Sequence, residues 1–78
     1  MPRVLLFGAL ADVAGWREQE VEGASTGALI AVLSGHEGLA ELLARPGLIT
    51  VVNRVVVRGD VAVTPDDEVA FAPPVSGG

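Results

Sequence analysis

The sequence offers little to an enzyme that works through side chains. Its 78 residues include one histidine, no cysteine and no tyrosine. A cysteine nucleophile, a thiolate metal site and a disulfide framework are excluded together. His36 stands alone in a break between two apolar stretches and reads as a solvated loop histidine. Asp66-Asp67-Glu68 sets three carboxylates in a row. No calcium-loop spacing surrounds them, so the run reads as a solvated turn, and no metal site is expected. Arg58-Gly59-Asp60 spells a cell-adhesion tripeptide but lies between two valine-rich runs, where a plain turn fits. No glycine pattern matches a dinucleotide or phosphate loop, so no bound cofactor is expected. By elimination, any chemistry sits at the end of the chain, Phe71-Ala72-Pro73-Pro74-Val75-Ser76-Gly77-Gly78.

A terminal carboxylate is inert until it is activated. As an acyl-adenylate, Gly78 would become an electrophile, and the residues before it then make sense. Glycine has no β-carbon, so Gly77-Gly78 can thread a narrow tunnel and approach a partner's backbone. Glycine also has no stereocentre to racemise on activation. Pro73-Pro74 stiffens the root of the tail, and Val75-Ser76 adds reach. Four residues span at most ~14 Å. The chain contains five arginines and no lysine. It therefore holds no thiol and no ε-amine that could attack an activated terminus, although arginine-rich codon usage accounts for the missing lysine equally well.

The elements that position this tail are legible in the hydrophobic pattern. Arg3-Val4-Leu5-Leu6-Phe7 is apolar on both faces and predicts a central strand covered on each side. This start is read as a strand and not as a signal peptide, because its apolar run is short and Asp12 follows closely. Ala9–Ala14 predicts a short helix closed by Gly15. Trp16–Glu22 is mostly polar and predicts an edge strand, with Trp16 packing against the rim of the core. Ser25 or Thr26 caps a helix carrying Leu29, Ile30 and Leu33, stopped at Gly35. Leu39, Leu42 and Leu43 predict a second short amphipathic turn, ended by Pro46-Gly47. Leu48–Val52, Val55–Val57 and Glu68–Ala72 predict strands. Turns fall at Asn53-Arg54, Arg58–Asp60 and Thr64–Asp67. Val61–Val63 is extended, and Pro73-Pro74 stops ladder pairing.

This order, hairpin then helix then strands, predicts one α+β domain over residues 1–74, followed by a flexible tail at 75–78. Among small folds it fits the ubiquitin-like β-grasp: a mixed sheet of four to five strands, one main helix across one face, and short extra helices. Net charge is −5, and half the residues are hydrophobic. An acidic domain without a basic stripe is a poor nucleic-acid binder but suits a partner with a basic docking face. No apolar run approaches the ~20 residues of a membrane span. The absence of cysteine fits the cytoplasm.

The ending resembles a known family. Thr64-Pro65-Asp66-Asp67-Glu68-Val69-Ala70-Phe71-Ala72-Pro73-Pro74-Val75-Ser76-Gly77-Gly78 looks like the C-terminus of the small subunit of molybdopterin synthase. Val4-Leu5-Leu6-Phe7-Gly8 with Leu10–Gly15, and Val51-Val52-Asn53, resemble that family's first strand, short helix and strand end. The resemblance implies a sulfur carrier that is not catalytic alone. An adenylating enzyme would spend ATP to activate Gly78, and a sulfur donor protein would convert it to a thiocarboxylate. The tail, including Gly77, would insert into the large catalytic subunit of a heterotetramer. There it would deliver sulfur to cyclic pyranopterin monophosphate, forming the molybdopterin dithiolene. Phe7 and Phe71 match hydrophobic positions near the tail, open to docking or to the core. Pro73, Pro74, Val75 and Ser76 would line the partner contact. Ala72 departs from the pattern, where many members carry a second aromatic. Sulfur carriers of cysteine or thiamine thiazole synthesis, and ubiquitin-like protein modifiers, share the same activated terminus.

Overall fold

The computed structural model of the chain describes residues 1–74. The expected tail, Val75, Ser76, Gly77 and Gly78, lies outside the described residues. The elements run β1 (Arg3–Leu6), α1 (Ala9–Ala14), β2 (Glu18–Glu20), α2 (Thr26–Leu33), α3 (Leu39–Leu43), β3 (Ile49–Val52), β4 (Val55–Val57) and β5 (Glu68–Ala72). The strands form one mixed sheet in the order β2-β1-β5-β3-β4. β1 and β5 are parallel, with Arg3 opposite Glu68 and Leu6 opposite Phe71. β1–β2, β3–β4 and β3–β5 are antiparallel. This is the ubiquitin-like β-grasp that the element order predicts, with the last strand in the middle of the sheet.

Local chemistry fixes the boundaries. Gly15 adopts the left-handed conformation (φ 83°) and its N–H bonds the Ala11 carbonyl, closing α1. Ser25 is extended, and its hydroxyl accepts the Ala28 N–H at 3.1 Å, opening α2. Asn53 and Arg54 both have positive φ, as a two-residue hairpin turn between β3 and β4 requires. Val61–Val63 joins the start of α2 and not a strand of the sheet: Ser25 bridges Ala62, and the Thr26 N–H bonds the Val61 carbonyl. The paired part of the polar edge strand is shorter than the Trp16–Glu22 run, with Leu6 still donating to Arg17 O and Val21 to Pro2 O at its ends.

The core lies on one side of the sheet. Val4, Leu6, Val69 and Phe71 point into it and meet Leu10, Leu29, Leu33, Leu39 and Leu43 from the helices. Trp16 packs at its edge, half-buried, as its position predicts. One expectation is corrected here. β1 is not covered on both sides: Val4 and Leu6 are buried, but Leu5 on the other face is only half-buried, because the helical residues of the core all meet the face of Val4 and Leu6.

Candidate functional site

The strand period of two places Leu5, Ala70, Val51 and Val56 in one row across four strands, on the face opposite the core. Val56 is 65% exposed. One step toward the tail, Ala72 sits opposite Ile49, and Phe7, tied by its N–H to the Phe71 carbonyl, flanks them from β1. One step the other way, Arg3 lies opposite Glu20 and Glu68 and pairs at 3.4 Å with Glu18 and Glu68. The open face therefore grades from charged at the start of β5 to apolar at its end, where the tail leaves.

The two phenylalanines divide. Phe7 is 50% exposed on this open face, whereas Phe71 is wholly buried in the core. Of the two roles open to Phe71 in the sequence, the structure gives it the core one, and its ring is closed to direct contact with a partner. Pro73 and Pro74 are half-buried. Pro73 packs over Gly8, in the β1–α1 loop, and Pro74 over Gly47, in the loop before β3. A depression of about 380 Å³, lined by Phe7, Gly8, Asp12 and Arg17 among others, opens on the Gly8 side. One of about 320 Å³, with Gly47, Ile49, Val56 and Arg58, opens on the Gly47 side. Pro73 and Pro74, set against Gly8 and Gly47, stand between these two recesses.

The other residues singled out in the sequence have structural posts. Asp60 accepts the Gly27 N–H at 2.8 Å, so the Arg58-Gly59-Asp60 turn anchors the start of α2. Beside it the buried Thr26 hydroxyl accepts the Val61 N–H at 2.9 Å and donates to the Gly59 carbonyl at 3.3 Å. His36 is exposed, with Nδ1 2.8 Å from the Glu37 carbonyl. Asp67 belongs to a network at the far end of the sheet. It accepts from the Asn53 amide at 2.9 Å and from the Thr64 N–H at 2.7 Å. The same Asn53 side chain accepts the Glu68 N–H at 2.9 Å. These bonds, that from Asn53 foremost, hold the Asp67 carboxyl below its usual value. Among the described residues no three His, Asp or Glu side chains converge as a metal site, and no helix is long and apolar enough to cross a membrane.

Sequence reasoning missed the open apolar face that carries Leu5, Val51, Ile49 and Val56. The signal was present. A strand apolar on both faces, in a fold with one helical layer, leaves one face without a cover.

No protein of curated description matches the chain. Among solved structures, it is similar to small archaeal modifier protein 1 from Haloferax volcanii, at 29% identity over 97% of both chains and a TM-score of 0.74. It shares its fold with small archaeal modifier protein 1 from Methanosarcina acetivorans, at 22% identity, with a TM-score of 0.87 over 97% of this chain and 94% of that one. The ThiS family model matches residues 4–78, nearly the whole sequence. The chain belongs to the ThiS family, the ubiquitin-like sulfur carriers.

Proposed function

We propose that this chain is the sulfur-carrying small subunit of a molybdopterin synthase, working from the carboxylate of Gly78. In the activating enzyme that carboxylate attacks the α-phosphate of ATP and releases pyrophosphate. A sulfide-level nucleophile from the donor protein then displaces AMP, leaving a thiocarboxylate. On the large subunit its sulfur attacks a carbon of the cyclic pyranopterin precursor and displaces an oxygen from it. Water on the acyl carbon then returns the carboxylate and frees the thiolate, and a second thiocarboxylate repeats the exchange to complete the dithiolene. The chain supplies no acid or base to these steps. It supplies a docking face around Phe7 and a tail, Val75–Gly78, with Gly77 passing the partner's tunnel. The need for ATP supports reading the cycle as cytoplasmic.

One observation carries the reading. The Pro73-Pro74-Val75-Ser76-Gly77-Gly78 ending leaves the central strand from the apolar end of an open sheet face, in a chain of a sulfur-carrier family. The test is the intact mass of the chain taken from its own cells without reductant, and again after ATP, sulfide and an adenylating enzyme. A sulfur-for-oxygen gain localised to Gly78 is the expected result. Deleting Gly78 should leave a folded protein that acquires no sulfur; retained transfer sinks the mechanism.

The likeness to archaeal modifier proteins favours one second reading, a ubiquitin-like modifier that uses the same activated glycine. Its signature is a glycine-glycine remnant on lysines of other proteins. Loss of molybdenum-enzyme activity on deletion of the gene, with no such remnants, selects the first reading.

A further inference from the structure

The geometry points to Gly8 and Gly47 as positioning residues for the reactive tail: two glycine walls of a notch that fixes the direction in which Pro73-Pro74 leaves the sheet. This rests on the carrier reading above and goes beyond it. β5 is central, so its end is flanked by one loop from each side. The β1–α1 loop contributes Gly8 and the loop before β3 contributes Gly47, both at positive φ (57° and 87°). A Cβ on Gly8 would stand 3.1 Å from Pro73 Cγ, and one on Gly47 would stand 3.0 Å from Pro74 Cβ. Both distances are closer than ordinary carbon–carbon contact. Successive prolines thus press on opposite walls, each where a side chain has been left out.

Among the other positive-φ glycines, Gly38 (φ 91°) also lacks room for a Cβ, which would stand 2.9 Å from Val13 Cγ1, a side chain outside the tail root. The remaining two show that positive φ alone does not produce this arrangement. Gly15 (φ 83°) and Gly59 (φ 72°) have the same backbone sign, yet a Cβ on either meets nothing within 4 Å. Their freedom serves the turn only. At Gly8 and Gly47 the missing atom also makes room for the tail root. Proline has a fixed φ, so a root held on both sides keeps its aim. A displacement of a few tenths of an ångström there shifts the point from which the last four residues start. Catalytic geometry that is off by about 1 Å costs ~100-fold.

The experiment compares Gly47→Ala with Gly15→Ala and Gly59→Ala, which introduce alanine at positive φ without touching the tail. All three should lower Tm. Only Gly47→Ala should lower kcat for ATP–pyrophosphate exchange by an adenylating enzyme, by about tenfold, a larger change than any in KM from its place in the recess beside the tail root. Pro74→Gly removes the opposing atoms. It should match Gly47→Ala in kcat, and the double variant should be no worse than either alone. Additive losses, or equal kcat for Gly47→Ala and Gly59→Ala, overturn the notch. A nuclear Overhauser contact between Gly47 Hα and Pro74 Hβ in the unmodified chain reads the wall without any enzyme, and its absence also overturns it. Exchange that never starts, even with the unmodified chain, refutes the carrier reading instead, and the Overhauser contact then decides the notch by itself.

Discussion

Phe7, just past the end of β1, and Phe71, on the neighbouring β5, should fail in opposite ways. Burying a phenylalanine side chain removes roughly 150–250 Å² from water. Phe7 is 50% exposed, so about 100 Å² remains for a partner to cover. At ~25 cal/mol per Å² that is about 2.5 kcal/mol. Alanine keeps the Cβ, so Phe7→Ala should weaken docking by about 2 kcal/mol, a ~30-fold rise in KM for the activating enzyme. The half already buried sets a stability cost of about 1–2 kcal/mol. Phe71 is 0% exposed, and Phe71→Ala should cost ~3–5 kcal/mol of stability, a large share of what a small domain has. Phe71→Leu nearly conserves volume, costs about 1–1.5 kcal/mol, and keeps a folded protein for kinetics. Urea melts followed by the single tryptophan, Trp16, give the stabilities, and pyrophosphate exchange gives KM. A KM for Phe7→Ala within twofold of the unmodified chain would refute the docking face. So would Phe71→Leu raising KM as far as Phe7→Ala at equal folded fraction.

Two further outcomes follow from polar groups. The folded-state pKa of Asp67 lies below its ordinary value of 3.8, so the stability it contributes is present above that pH and is lost as pH falls through the depressed folded value. Asp67→Asn should therefore melt lower than the unmodified chain at pH 7, and the gap should close below about pH 3.8 in thermal melts. A gap that widens in acid would contradict the sign. Thr26 is 1% exposed and carries two hydrogen bonds to the Gly59–Val61 segment. Thr26→Val keeps the shape, strips the Val61 N–H of its side-chain acceptor, and should cost about 1–3 kcal/mol in urea. Thr26→Ser, which retains the hydroxyl, should recover most of that loss.

The elements were readable because each carries its own local signal. Ser25 caps α2, Gly15 closes α1, and Asn53-Arg54 turns the β3–β4 hairpin, all from chemistry that acts within a few residues. Strand order was not readable in this way. The parallel pairing of β1 with β5 joins residues 65 positions apart, as the Arg3–Glu68 contact shows, and no local propensity encodes it. Phe7 and Phe71 show the same limit. Both end apolar strands, and only the one-residue offset in facing, set by the register Leu6 opposite Phe71, sends one ring to the core and the other to the surface. The Gly8 and Gly47 walls were invisible for a stronger reason: each contacts a proline far away in sequence, and a missing side chain leaves no residue pattern to find.

A central last strand answers a mechanical need. If the tail left from an edge strand, one loop would flank its root and the other side would be water. Because β5 pairs with β1 on one side and β3 on the other, the loop after β1 and the loop before β3 both arrive at its end. Parallel pairing on one side and antiparallel pairing on the other bring about that meeting, since the end of β1 and the start of β3 both align with the end of β5. The same pairing puts the Asn53–Asp67 network and the Arg3 ion pairs at the opposite end of the sheet. Charges and hairpin-locking bonds are thereby kept away from the apolar end, from which the chain runs on toward Gly77-Gly78.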